Sequence, residues 1–248
     1  YGDHRDLHLS LRRQRQMCIR DSYYLGGAED PKKKSFTEMS LIEFGNQVRR
    51  ARATPGGGSV AAAMGSFGAA LVCMVTGLSL SGRKFAAIKE EMLSHRHACE
   101  NDRGVLMGLV EEDSAAFDAV MAAFKMPEDT PEQKKEKEEV IQSATKHAAE
   151  VPLKTMRHSL NALRHAKVAA EKGNINAITD AGVAAHALMA AIEGAALNVR
   201  INLGNIEDEE FVRTTSEEVE KIISEGKALK EEILQIVEAR MKELAEGK

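Results

Sequence analysis

Two stretches of this chain leave little choice of fold. Residues 59–82, SVAAAMGSFGAALVCMVTGLSLSG, carry no charged side chain, and residues 175–203, INAITDAGVAAHALMAAIEGAALNVRINL, carry only Asp180, Glu193 and Arg200. Both are built on Ala and Gly rather than on the β-branched and aromatic residues of strands, and each spans about six helical turns or more. A helix that is apolar on every side must be enclosed by others, and small side chains let two such helices approach closely. The expectation is an all-α bundle with two central Ala/Gly-rich helices. The first stretch is also long enough to raise a membrane span. Its content of Ala, Gly and Ser, with no convincing basic flank, predicts instead the core helix of a soluble protein.

The remaining pattern agrees with a helical chain. Only 4% of residues are aromatic, and no alternating run bounded by hairpin turns occurs. Ser40 followed by Glu43 predicts a capping box at the head of a short helix ending near Ala53. A central helix is then expected from Ser59 to about Leu80, with a break at Gly82. Apolar residues at three-to-four spacing continue until Pro127. Thr130-Pro131 reads as a restart, with Thr at the N-cap and Pro at the first helical position. Pro152 predicts a kink or break near Glu150, and Gly173 a C-terminal stop. From Ser216 onward the sequence reads as a charged amphipathic helix whose apolar stripe packs on the core or on a second subunit. About six helices result, in one domain over residues 38–248 with a flexible lead-in over 23–37.

Residues 1–22 share no pattern with this domain. The segment QMCIRDS at 16–22 is what results from translating a transposase end sequence used to build sequencing libraries, so 1–22 reads as a non-native or disordered leader. Without its five Arg and three Asp, Lys+Arg falls from 34 to 29 and Asp+Glu from 38 to 35, moving the net charge from −4 to −6. That balance disfavours nucleic acid as a partner. Cys73 and Cys99 have no metal-like or redox-like spacing, which predicts a reducing, cytoplasmic setting.

The stretch ATPGGGSVAAAMG, residues 53–65, places three glycines at the mouth of the first central helix. A bare backbone there lets a ligand approach the outward-pointing N–H groups of the first turn, which favour an anion or a carbonyl oxygen. Pro55, Gly56, Gly57, Gly58 and Ser59 are therefore candidate substrate-binding residues. No Lys-Ser/Thr follows the glycines, so this is not a phosphate loop of the Walker kind. A tight turn between crowded helices fits the same residues equally well.

Asp180 lies among small apolar residues, where burial would favour its protonated form, and is the first candidate for proton transfer. Asn198 and Asn202, one turn apart, share a face suited to a flat polar heterocycle. Asp180 precedes Asn198 by eighteen residues, roughly 27 Å along a helix, so the two serve different ends of a long ligand or sites built from two subunits. Asp113 is a weaker candidate acid on a helix with one apolar face, pointing away from Asp118, and Lys84 could neutralise an anionic substrate. His95 and His97, two apart on a charged helix face, read as solvated, and His186 as a satisfied core or surface histidine. No metal site is predicted.

The segments TPGGGSVAAAMGSFGAALVCMV (54–75), EDSAAFDAV (112–120), VPL (151–153), GNINAITDAGVAAHAL (173–188) and GAALNVRINL (194–203) together resemble the cyclodeaminase domain of the formiminotransferase-cyclodeaminase family. That family includes stand-alone bacterial members and methenyltetrahydrofolate cyclohydrolases. The resemblance runs from about Met39 to the C-terminus and implies an all-α homodimer or higher assembly that takes a tetrahydrofolate derivative as substrate. It also implies cyclisation of formiminotetrahydrofolate to methenyltetrahydrofolate with loss of ammonia, or interconversion of methenyl- and formyltetrahydrofolate. In that scheme Asp180 moves protons, Asn198 and Asn202 orient the pterin or the bridge, and the helix start at Gly56–Ser59 binds an oxygen or carboxylate of the folate. The competing expectation is a non-enzymatic helical scaffold or folate-binding module, with Asp180 in a structural pair.

Overall fold

The computed structural model describes residues 34–80 and 83–246. The leader, most of the lead-in and the expected break at Gly82 lie outside the described residues. Six α-helices follow one another: α1 (Leu41–Val48), α2 (Gly57–Leu78), α3 (Lys89–Phe124), α4 (Pro131–Lys172), α5 (Ile178–Leu203) and α6 (Glu209–Ala245), and no strand occurs among the described residues. Helices α2 and α5 are the two small-residue segments, packed against each other with α3, α4 and α6 around them.

Local signals set most helix ends. Ser40 caps α1, with Ser40 N–H donating to Glu43 Oε2 at 2.7 Å and Glu43 N–H to Ser40 Oγ at 3.2 Å. Thr130 and Gln133 form the same reciprocal cap ahead of Pro131 at the start of α4. Helix α1 ends at Val48 rather than near Ala53. Helix α6 begins at Glu209, well ahead of Ser216, because Asp208 caps it by accepting from Phe211 N–H.

Helices α2 and α5 run antiparallel, since Gly57 faces Asn198, Gly194 faces Ala61 and Gly68 faces Leu188. A Cβ on Gly68 would lie 2.7 Å from Leu188 Cγ, so the close crossing requires glycine there. The contact buries Ala61, Ala62, Ala69, Val72, Ala184, Ala185, Leu188 and Ile192 completely. Both helices are long and apolar enough to cross a membrane by composition, and 56% of each apolar window is buried inside the fold. Each also leaves an apolar stripe uncovered, with Phe67, Met74 and Leu78 on α2 and Val183, Leu197 and Ile201 on α5. Helix α6 covers α4 and α5 of its own chain, which answers one of the two sequence expectations for its apolar stripe. Arg157–Glu218, Arg164–Glu225 and Lys167–Glu232 fix its register along α4.

Of the kink or break expected at Pro152, the break does not occur: α4 runs on through it. Proline removes the N–H that would bond the carbonyl four residues back. That carbonyl, Ala148 O, instead accepts from Asn202 Nδ2 of α5 at 2.8 Å. A neighbouring helix supplies the missing donor.

Candidate functional site

Gly56 is the N-cap of α2 and brings no side-chain cap of its own. The first turn is capped instead from α3. Asp113 Oδ2 accepts from Ser59 Oγ at 2.9 Å, and the carboxylate also takes the Ser59 N–H. Ser59 Oγ in turn lies 3.1 Å from Ser114 Oγ. The carboxylate is seated so close to the backbone that a Cβ on Gly58 would fall 2.0 Å from Asp113 Oδ1. Only glycine admits it. Burial of this carboxyl raises its pKa above the usual aspartate value, while the two Ser59 hydrogen bonds pull the other way.

The glycine turn is therefore already occupied by a carboxyl group of the protein itself. Pro55, Gly58 and Ser59 are buried, whereas Gly57 is exposed and Gly56 half-exposed. Over Gly57 lies the carboxamide of Asn198, which donates through Nδ2 to Gly194 O at 2.9 Å. The open part of the helix start is thus the Gly57–Asn198 edge, with Asp113 behind it. Asn202 instead reaches α4, its Nδ2 donating to Ala148 O and to Asn198 O at 3.0 Å.

Asp180 and Lys84 stand elsewhere. Asp180 occupies the first turn of α5 and is half-exposed rather than lodged in the interior, in the place where the helix dipole favours a carboxylate. Its apolar neighbours in sequence turn into the core on the other side of the helix. Lys84 is exposed on the short turn before α3, with Nζ 4.8 Å from the Phe85 ring centroid. Both belong to the end of the bundle where α2 terminates, roughly 33 Å along a 22-residue helix from the glycines. Within one chain, the structure joins Gly57, Gly58, Ser59, Asp113 and Asn198 and leaves Asp180 and Lys84 apart from them.

A cavity of about 440 Å³ adjoins the glycine turn at Thr54 and at Ser114, the hydroxyl neighbour of Ser59, with Phe36, Gly108, Glu111 and Asp118 among its other lining residues. Its acidic wall does not suit an anionic substrate, and Asp113 does not contribute to it.

Sequence reasoning placed His95 on a solvated face, and there the structure differs. His95 Nδ1 lies 2.9 Å from His165 Nδ1. The buried Asp102 accepts from His158 Nδ1 at 2.7 Å and lies 4.0 Å from His165 Nε2. Desolvation, with the facing His95, lowers the His165 pKa. The signal was present: His95 and Asp102 are seven residues apart on α3, as are His158 and His165 on α4, a spacing that lines up side chains on one helical face. Among the described residues no group of three or more His, Cys, Asp or Glu is arranged to hold a metal ion.

Comparison with known proteins gives this geometry its context. The sequence profile described as Formiminotransferase-cyclodeaminase matches residues 40–221. The methenyltetrahydrofolate cyclohydrolase of Methylorubrum extorquens is 38% identical over 188 residues, covering 76% of this chain and 90% of that protein. The formimidoyltransferase-cyclodeaminase of Gallus gallus is 36% identical over 214 residues, covering 86% of this chain but only 39% of that longer protein. Among solved structures, the formiminotetrahydrofolate cyclodeaminase of Thermotoga maritima aligns with a TM-score of 0.75 at 29% identity, covering 83% of this chain and 98% of that one.

Proposed function

The chain belongs to the formiminotransferase-cyclodeaminase family and is an enzyme of folate one-carbon chemistry, and we propose that it works at the Gly57–Asn198 edge with Asp113 as its proton-transfer group. Either family reaction passes through a tetrahedral carbon. In cyclodeamination N10 adds to the formimino carbon, and the amine leaves as ammonia once protonated. In hydrolysis water adds to the methenyl carbon, loses a proton, and N5 departs. Both need a carboxyl that can hold a proton and give it up beside a cationic carbon. Asp113, raised by burial and tied to Ser59, has that character. This single observation carries the assignment. Asn198 then orients the bound heterocycle, and Gly57 allows close approach.

The positions of Asp180 and Lys84 support a two-subunit site. Helices α2 and α5 are antiparallel and expose apolar stripes. A two-fold axis across them would set the Asp180 end of one subunit against the Gly57 end of the other, in a cytoplasmic homodimer. Mixing Asp113→Asn with Asp180→Asn chains tests this. Restored turnover in the mixture supports the shared site, and none contradicts it.

A second reading has a specific observation behind it: a carboxylate bonded to the N–H and hydroxyl of a helix start is also what a purely structural cap looks like. The deciding experiment incubates purified protein with formiminotetrahydrofolate and, separately, with methenyltetrahydrofolate, following methenyl absorbance and ammonia release. Asp113→Asn lowers turnover by about a hundredfold or more if Asp113 transfers protons. Full turnover with reduced thermal stability would make it a cap only.

A further inference from the structure

Pro152 and Asn202 are fifty residues apart in sequence and meet at one atom, Ala148 O. Pro152 is buried inside α4 and has no N–H for that carbonyl. Asn202 Nδ2 bonds it at 2.8 Å and also bonds Asn198 O at 3.0 Å. One turn back, Asn198 donates to Gly194 O at 2.9 Å, and a Cβ on Gly57 would lie 3.6 Å from its Nδ2 and 3.8 Å from its Oδ1. A continuous path thus leads from the proline in α4, through the last turn of α5, to the open edge of the glycine turn.

We infer that Asn202 is a positioning residue: it supplies the hydrogen bond that Pro152 withholds from α4, and in doing so fixes the rotation of the last turn of α5 that aims Asn198 at Gly57. The role in turnover rests on the reading of the Gly57–Asn198 edge as the folate end of the site. The hydrogen-bond exchange between helices does not depend on it. A side-chain amide suits the task because it offers two donors on one nitrogen, one for each carbonyl. A carboxylate of the same size offers none, so Asp is no substitute.

The exchange predicts its own rescue. Replacing Pro152 by Ala restores an N–H at residue 152 that can bond Ala148 O within α4, which makes the donation from Asn202 redundant. In the natural background Asn202→Ala and Asn202→Asp should each lower the thermal midpoint by about 2–4 °C or more. They should also raise KM for the folate about tenfold, with a smaller change in kcat. In the Pro152→Ala background, Asn202→Ala should lose at least half of its effect on both quantities. Equal losses in the two backgrounds would overturn the proposal, as would wild-type KM in Asn202→Asp. The thermal cycle needs no substrate. Coupling in the thermal data beside an absence of folate turnover would therefore refute the functional reading alone.

Discussion

The two ends of α2 use polar groups in opposite ways. At its C-terminal end they close the structure: Asn174 N–H donates to Ser79 Oγ, Arg240 donates to Ala170 O and Gly173 O at the end of α4, and Lys172 pairs with Glu91. Every one of these contacts satisfies a loose helix end or a surface charge. At the N-terminal end, a carboxyl is pressed against a helix start that has no room for a Cβ, and its burial works against its ionisation. Packing alone would have been served by Ser or Asn at the N-cap of α2. A desolvated Asp supplied from another helix is the feature on which the chemistry proposed for this end rests.

Substitutions at the two ends should separate these roles. The largest effect is expected from Asp113→Asn, a hundredfold or greater loss of turnover in steady-state assays with the fold retained by circular dichroism. Gly58→Ala should come next, because the added methyl overlaps the Asp113 carboxylate; about 1–3 kcal/mol of stability is lost in denaturant unfolding, with activity falling as well. Arg240→Ala, at the closing end, should cost about 1–2 kcal/mol by the same method and leave kcat and KM unchanged. A matching loss of activity would erase the contrast between the ends.

A smaller effect concerns pH. The His165 pKa is lowered in the folded chain, so the unfolded chain binds the proton more readily. The stability that depends on neutral His165 is present above the unfolded value near 6.5 and declines as pH falls below it, by at most about 1.4 kcal/mol per unit. Thermal midpoints measured from pH 7 to pH 5 should fall, and less steeply in His165→Asn. The smallest effect is expected from Gly104→Ala, where nothing lies within 4 Å of the added carbon: a gain of about 0.5–1 kcal/mol.

The same contrast explains what the sequence could and could not disclose. Helix identity, the caps at Ser40 and Thr130, the stop at Gly173 and the central placing of two small-residue helices are local properties, and they were legible. The relative burial of the two aspartates was not. Asp180 has apolar neighbours in sequence but sits in the first turn of α5, where its side chain reaches the surface. Asp113 lies in a mixed segment, and only the approach of α2 through Gly58 buries it. Pro152 misled for a related reason, since the donor that keeps α4 intact comes from Asn202, a residue that one-dimensional reasoning gave to the substrate. Partners across helices decide the cases of Asp113 and Pro152, and no local pattern encodes them.

The central claim is that Asp113 holds its proton more tightly than an ordinary aspartate because the helix start of α2 has taken it out of water. Carbon-detected NMR of the side-chain carboxyl, titrated in the intact protein, measures this directly. The midpoint is expected above the ordinary value of about 3.9, falling back toward that value in the unfolded chain. A folded-state midpoint at or below the unfolded one would contradict it.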